Sequence, residues 1–268
     1  MAFKIAYDAG HFKHTLGNRL PEELDRSTTS EWELNDRIAR YFAQAAKQYE
    51  GVELLRVDDV TGKTDVGLAQ RCKLANDFGA DFYLSIHHNA GANLTSAGGI
   101  VAYSHIGSEK GAAYRDAIYK ACIAAGGLRG NRAEPVQEGT FYVLRNTAMP
   151  AVLMEYGFMD SAADAPVILQ EQYAEKMAFA TMEAIAAVAG FEKKNTVSVE
   201  LPFLKQGAVN GYVQAMQRLL TGWGYPLDTD GIFGGATAAA VKGFQSAYGL
   251  AVDGICGRNT WQKLLEME

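Results

Sequence analysis

The feature that most constrains this chain is an alternation. Up to about residue 190, short β-branched or aromatic runs are separated by longer segments of helical periodicity. The strand-like runs are Phe3 to Tyr7, Val52 to Val57, Phe82 to Ile86, Gly99 to Tyr103 and Ala151 to Tyr156. Between them, Leu34, Ile38, Tyr41, Phe42 and Ala45 share one helix face, as do Leu68, Cys72, Ala75 and Phe78. Alanine-rich stretches near 109–125 and 170–189 have the same spacing. Strands alternating with helices of this length predict an α/β domain over residues 1–190, a mostly parallel twisted sheet wrapped by helices.

The pattern breaks after that. Residues 191–206 contain Glu192-Lys193-Lys194-Asn195-Thr196 and then Pro202, and read as a linker. Residues 207–268 contain an internal echo. Asp230-Gly231-Ile232-Phe233-Gly234-Gly235-Ala236-Thr237 recurs as Asp253-Gly254-Ile255-Cys256-Gly257-Arg258-Asn259-Thr260. Asp-Gly suits a tight turn, and a Thr or Asn after the last Gly suits a helix start. Helix-like stretches at Val213 to Trp223, Thr237 to Tyr248 and Thr260 to Leu265 complete a small C-terminal three-helix domain. A core that small is marginal alone, so an attached binding unit is expected rather than an enzyme. A calcium loop beginning at Asp228 is excluded, because its twelfth position is Ala239 and offers no carboxylate.

Charge and composition exclude several partners. The net charge is −6, carried by residues 1–190; residues 201–268 balance five basic against five acidic side chains. Neither part has the basic excess of a nucleic-acid binder. No run reaches the roughly 18 apolar residues of a membrane span, the closest (Met177 to Phe191) being broken by Glu183. No signal peptide is read at the N-terminus, so the chain is expected in the cytoplasm until released. The three cysteines, Cys72, Cys122 and Cys256, form no C-x-x-C pair and are expected as buried thiols.

Two of the five histidines stand at matching places. His11 follows the first strand in Tyr7-Asp8-Ala9-Gly10-His11, and His87 follows another in Tyr83-Leu84-Ser85-Ile86-His87. Ligands in open α/β sheets collect outside the carboxyl ends of strands, so both imidazoles could share one crevice. Two imidazoles and a carboxylate make a zinc site that keeps a fourth position open. Glu31 is a candidate carboxylate, but Ser30-Glu31-Trp32-Glu33 also reads as a helix-capping box with acids in the first turn. Glu155 ends the apolar run Pro150-Ala151-Val152-Leu153-Met154, where a charge is costly unless paired or functional. Near a metal it would serve as a general base. His88 should point away from His87 if the strand continues, and His14 and His105 are left to the surface or rim.

Three blocks, Asp8-Ala9-Gly10-His11, Ser85-Ile86-His87-His88-Asn89 and Met149-Pro150-Ala151-Val152-Leu153-Met154-Glu155-Tyr156-Gly157-Phe158, resemble those of the zinc-dependent type 3 N-acetylmuramoyl-L-alanine amidases. In chain order and spacing the resemblance covers about residues 3–188. It implies Zn2+ held by His11, a Glu at the head of the following helix, and His87. Counting back from Ile38-Ala39 puts that Glu at Glu31, with Glu33 as the fallback. It implies Glu155 as the catalytic carboxylate. Phe12-Lys13 replaces the two glycines common after the first His, and His88 replaces a small residue, so the rim departs from the family pattern.

Residues 207–268 are similar to the common three-helix peptidoglycan-binding module, through Val213-Gln214-x-x-Gln217-x-x-Leu220, Gly224-Tyr225, Asp230-Gly231-x-Phe233-Gly234, Phe244-Gln245, Gly249-Leu250, Asp253-Gly254 and Thr260-Trp261. Together the resemblances imply a wall-lytic enzyme acting on peptidoglycan, of the phage-endolysin or bacterial-autolysin kind. Asp8 and Asn89 are candidates to orient the ligands, and Arg145 either meets a stem-peptide carboxylate or forms a surface ion pair. A zinc peptidase cutting within the stem peptide, and an inactive wall-binding protein, are the alternatives.

Overall fold

The computed structural model describes residues 2–194 and 201–266. The chain divides into two compact units, Met1–Lys194 and Asn195–Glu268. The first unit runs β1 (Phe3–Ala9), α1 (Glu31–Ala46), β2 (Val52–Arg56), α2 (Leu68–Phe78), β3 (Phe82–Asn89), β4 (Val101–His105), α3 (Glu109–Ala124), β5 (Val136–Gly139), α4 (Tyr142–Asn146), β6 (Ala151–Phe158), α5 (Ala165–Ile168) and α6 (Glu171–Ala189).

Six strands form one sheet in the order β2-β1-β3-β6-β4-β5. The first four run parallel, while β4 is antiparallel to β6 and β5 is parallel to β4. The mostly parallel sheet expected from the alternation is present. The sixth strand, β5, escapes sequence reading because Val136-Gln137-Glu138-Gly139 is an edge strand, partly exposed and without an apolar run. The short helices α4 and α5 escape it for the same want of length.

Alternation within each strand divides the core. Ile5, Phe82, Leu84, Ile86, Val152, Met154 and Tyr156 face α1, α3 and α6. Ala6, Tyr83, Ala151 and Leu153 face α2 and α4. Strands β3 and β6 are almost wholly buried, which is why they read as continuous apolar runs. Cys72, Cys122 and Cys256 are buried and free, as expected. Among the described residues, no helix is long and apolar enough to cross a membrane.

The described ends of the segment expected as a linker, 191–206, pack on the units they adjoin. The Phe191 ring packs on Phe3 and Tyr49, and Lys194 N–H donates to the Gln48 carbonyl at 2.7 Å. Leu204, 1% exposed, exchanges two backbone hydrogen bonds with Cys256, and Trp261 Nε1–H donates to the Pro202 carbonyl. A polar run with a proline thus hides an apolar anchor of the second unit. Residues 195–200 lie outside the described residues.

The second unit packs α7 (Gly211–Gly222), α8 (Gly235–Ala247) and α9 (Arg258–Leu264) around Met216, Leu220, Phe233, Val241, Phe244 and Trp261. The sequence echo is a structural one. Gln217 Nε2 donates to Asp230 Oδ1, the Ile232 carbonyl and Thr237 Oγ1, while its Oε1 accepts from Gly231 N–H. Gln245 does the same with Asp253, Ile255, Thr260 and Gly254. Each Asp-Gly loop is therefore tied to the preceding helix by a buried glutamine. Asp230 Oδ1 is spent on that glutamine and on Ile232 N–H.

Candidate metal centre and active site

The site forms where β1, β3 and β6 end. Gly10 N–H still pairs with the Ile86 carbonyl, and the chain then turns at His11, whose φ of 65° lies in the left-handed region. Gly10 is required for a separate reason. Its own φ is ordinary, but a Cβ there would lie under 3.0 Å from Cε1, Nε2 and Nδ1 of His87. Only glycine lets the two blocks close on each other.

Glu31 enters from the first turn of α1. The capping box is real, and it is made by Glu33: Ser30 N–H donates to Glu33 Oε2, and Glu33 N–H to Ser30 Oγ. Glu33 also pairs with Lys13 at 3.0 Å, and the group that could hold a metal is formed with Glu31 instead. Glu31 is released for the crevice. Its Oε2 lies 3.1 Å from His11 Nε2 and its Oε1 2.9 Å from His87 Nδ1. One ligand atom from each of the three residues falls within 4.8 Å of the others, so the group could hold a metal ion.

The electrostatics favour a cation there. Burial opposes ionisation of Glu31, yet the two imidazoles outweigh it and hold the carboxyl well below its usual value. Burial likewise opposes a charge on His87, but Glu31 and then Glu155 overcome it and push the imidazole up to about 9. Paired imidazoles with one carboxylate are a donor set for zinc-like ions.

Glu155 sits beside this group because β3 and β6 are parallel and place it opposite His87. Its Oε2 is buried without a hydrogen-bond partner among the described residues. Burial raises its carboxyl to about 7, His87 lowering and Glu31 raising it further. A carboxyl poised between its two forms, aimed at a candidate metal, is suited to accept and return a proton. The crevice, about 250 Å3, is lined by His11, Asn18, Glu31, His87, Asn89 and Glu155, among others.

The remaining predicted residues divide. Asn89 lines the crevice, but its Oδ1 accepts from Ala90 N–H rather than from a ligand. Asp8 shares a sheet face with Ser85 and His87, but among the described residues its carboxylate accepts from Arg71, Tyr83 and Ser85 and from neither imidazole. Its link to the site is indirect, since Arg71 also donates to the carbonyls of Ala9 and His11 at 3.0 and 2.7 Å. His88 points to the opposite face from His87, donating from Nδ1 to Asn35 Oδ1 in the neutral form that burial enforces, with its pKa down at about 3.

Arg145 is not brought here. It lines a different cavity with His105 and Ala151, at the start of β6, and its guanidinium sits 5.9 Å from the Tyr142 ring. Glu155 lies four positions along the strand from Ala151, roughly 13 Å away. Because β4 is antiparallel to β6, His105 at its end belongs to that far edge as well.

Three residues of the site were not foreseen. Asn35, one turn after Glu31, donates to Glu31 Oε1 and to the Gly10 carbonyl. Asn18 donates to Glu31 Oε2 and contacts His11 Nε2. Arg71 is 2% exposed. For Asn35 a signal existed, a polar residue inside the apolar stripe of α1; for Asn18 and Arg71 the contacts are visible only in three dimensions.

Comparisons with known proteins point the same way. Residues 210–264 match the peptidoglycan binding domain family PG_binding_1. A sporulation-specific N-acetylmuramoyl-L-alanine amidase of Bacillus subtilis is 37% identical over 136 residues, 49% of this chain and 48% of that protein. An endolysin of Bacillus phage SPP1 is 32% identical over 159 residues, 55% of this chain and 54% of that protein. The chain thus spans about half the length of these curated relatives. The solved structure of an N-acetylmuramoyl-L-alanine amidase from Clostridium difficile 630 superposes with a TM-score of 0.63 at 25% identity, covering 70% of this chain and 97% of that one. With residues 5–187 matching the N-acetylmuramoyl-L-alanine amidase family Amidase_3, the chain belongs to that family.

Proposed function

We propose that this protein is a zinc-dependent N-acetylmuramoyl-L-alanine amidase, hydrolysing the amide between N-acetylmuramic acid and the L-alanine of the peptidoglycan stem. The observation that carries this reading is the convergence of His11, Glu31 and His87 beside a buried Glu155 oxygen that has no hydrogen-bond partner among the described residues. His11, Glu31 and His87 would hold the Zn2+, which supplies Lewis acidity toward the amide carbonyl and the attacking water.

The chain's own residues then divide the work. Glu155 Oε2 takes the proton from the attacking water and returns it to the departing alanine nitrogen. His88 and Asn35 fix the Glu31 carboxylate through His88 N–H and Asn35 Nδ2, at 3.2 and 3.3 Å. Arg71, anchored by Asp8, holds the turn that presents His11. The imidazoles of His11 and His87 remain 33% and 17% exposed, leaving a face for the substrate. Residues 201–268 serve as the wall-binding module, and the pairing of the two units suits a wall-lytic enzyme of the endolysin or autolysin kind, acting at the cell wall.

Metal analysis of protein purified with added zinc, for wild type and Glu31→Gln, tests the ligand set. One zinc per wild-type chain and a large loss in the variant are expected. Equal zinc content would contradict the assignment.

A further inference from the structure

We propose that Arg132 determines substrate specificity by pairing with a free carboxylate on the stem peptide, on the residue that follows the L-alanine. The inference rests on the amidase reading above and names the chemical group that the site selects.

Arg132 reaches the site through the end of β6. His87 is paired with Glu155, but Asn89 is next paired with Phe158, so Tyr156 and Gly157 together stand opposite His88. This bulge uses Gly157 at a φ of 143°, a conformation that other residues rarely adopt. Phe158 is thereby returned to the face that Glu155 occupies. Its ring packs with Val101, the partner of Glu155 on β4. The ring is 1% exposed, and the Arg132 guanidinium lies 4.6 Å from its centroid.

The segment that carries Arg132 is held at both ends. The carbonyls of Leu128 and Pro135 accept from Ile100 and Ala102 N–H at 2.8 and 2.9 Å, so residues 129–134 loop out between two fixed points on β4. The base of the loop lies directly on the backbone beneath it. A Cβ on Gly130 would fall under 3.0 Å from the Gly98 carbonyl, and one on Gly99 under 3.0 Å from Gly130. Asp164, 2% exposed, accepts through Oδ2 from both Gly99 N–H and Phe158 N–H, which locks the glycine contact and the aromatic platform to each other.

Arg132 itself is exposed, and among the described residues its guanidinium forms no ion pair and no hydrogen bond. A guanidinium stacked on a ring keeps its in-plane N–H groups free, and their fork matches a carboxylate. Glu155 is near but does not fill that place. Burial and then Glu155 raise the Tyr103 phenol while Arg132 lowers it, so both charges act on one side chain without pairing. Asn89 lies one two-residue step past His87, about 7 Å along β3, and a stem residue spans about 3.5 Å. Phe158 and Arg132 are therefore within about two residues of an amide held at His87. The sugar side offers no carboxylate, since the lactyl carboxyl of N-acetylmuramic acid is consumed in the scissile amide. A carboxylate within reach belongs to the peptide, and Arg132 offsets its repulsion by Glu31 and Glu155. Arg145, read from sequence as a candidate for this pairing, lies beside the start of β6 rather than its end.

The experiment uses zinc-loaded full-length protein and two soluble glycan–peptide fragments. They are alike except that the residue after L-alanine carries a free carboxylate in one and a carboxamide in the other. Release of amino-terminal L-alanine gives kcat and KM for wild type, Arg132→Gln and Arg132→Lys. Wild type should favour the carboxylate by about 10–100-fold in kcat/KM, the range of a hydrogen bond between charged groups. Arg132→Gln should lose this preference, the loss falling on KM for the carboxylate fragment, and Arg132→Lys should recover part of it. Wild type that favours neither fragment, or favours the carboxamide, overturns the proposal. So does Arg132→Gln that slows both fragments by one factor and keeps the preference, which is the mark of a merely structural loop. Should Arg132→Gln fail to fold, the wild-type preference and Arg132→Lys decide. Wild type that releases L-alanine from neither fragment would instead end the amidase reading, and the proposal with it.

Discussion

Gly10→Ala isolates the steric basis of the proposed metal centre. The substitution adds one methyl group at a position whose φ suits any residue, so it brings no backbone strain. That methyl would lie under 3.0 Å from three atoms of the His87 ring, where ordinary contact starts at 3.4 Å. The ring must then withdraw by about 1 Å, several times the roughly 0.2 Å tolerance of a metal–ligand bond. Displacing a direct ligand should cost at least as much as the most damaging supporting changes, about 100-fold in zinc affinity, or about 3 kcal/mol. Metal-free stability should change far less, because His87 sits at the rim of the core rather than inside it. Chelator competition for zinc, paired with urea unfolding of the metal-free protein, separates the two effects. Unaltered zinc affinity would refute the reasoning, since it would mean that His87 can retreat and still ligate, or that it does not ligate.

Three further predictions concern other links. In metal-free protein the native Glu155 keeps its proton up to about pH 7, whereas the unfolded chain releases it near 4.5. Stability from this group therefore falls as pH rises through that window, and Glu155→Gln should be the more stable protein above pH 7 by up to about 3 kcal/mol, the gap closing toward pH 4.5. Parallel urea titrations across pH measure this; zinc-loaded Glu155→Gln should keep its metal and lose turnover. Arg71→Met leaves Asp8 buried without its cation and should cost about 3–5 kcal/mol of unfolding free energy, with a gap well under 1 kcal/mol counting against the pair's role. Gln217→Ala and Gln245→Ala each remove the same four hydrogen bonds and should destabilise the second unit by similar amounts, about 2–3 kcal/mol, read by thermal unfolding; sharply unequal losses would contradict the structural repeat.

Much of this fold was legible because parallel strands buried on both faces leave long apolar runs, and β1, β3 and β6 are of that kind. β5 was not, since an edge strand needs no such run. At the site, His11, His87 and Glu155 could be read from their places at strand ends. Glu31 could not be separated from Glu33 by spacing, because acids in a first helical turn serve caps and ligands alike. In the structure Ser30 binds Glu33 on both sides of the box, and Glu31 faces the two imidazoles. The place of Arg145, beside the start of β6, is not legible because chain order does not reveal where α4 packs. Asn18 and Arg71 act across 13 and 63 residues, distances over which no local pattern carries a signal. Leu204 reads as a lone apolar residue in sequence, and its tie to the second unit shows only in its backbone pairing with Cys256.

Digestion of purified peptidoglycan sacculi, with and without a zinc chelator, followed by mass analysis of the fragments, tests the central claim most directly. Glycan strands freed of peptide together with new amino-terminal L-alanine, both lost on chelation and restored by zinc, are the predicted result. New amines from other stem residues, or intact sacculi that merely retain the protein, would contradict it.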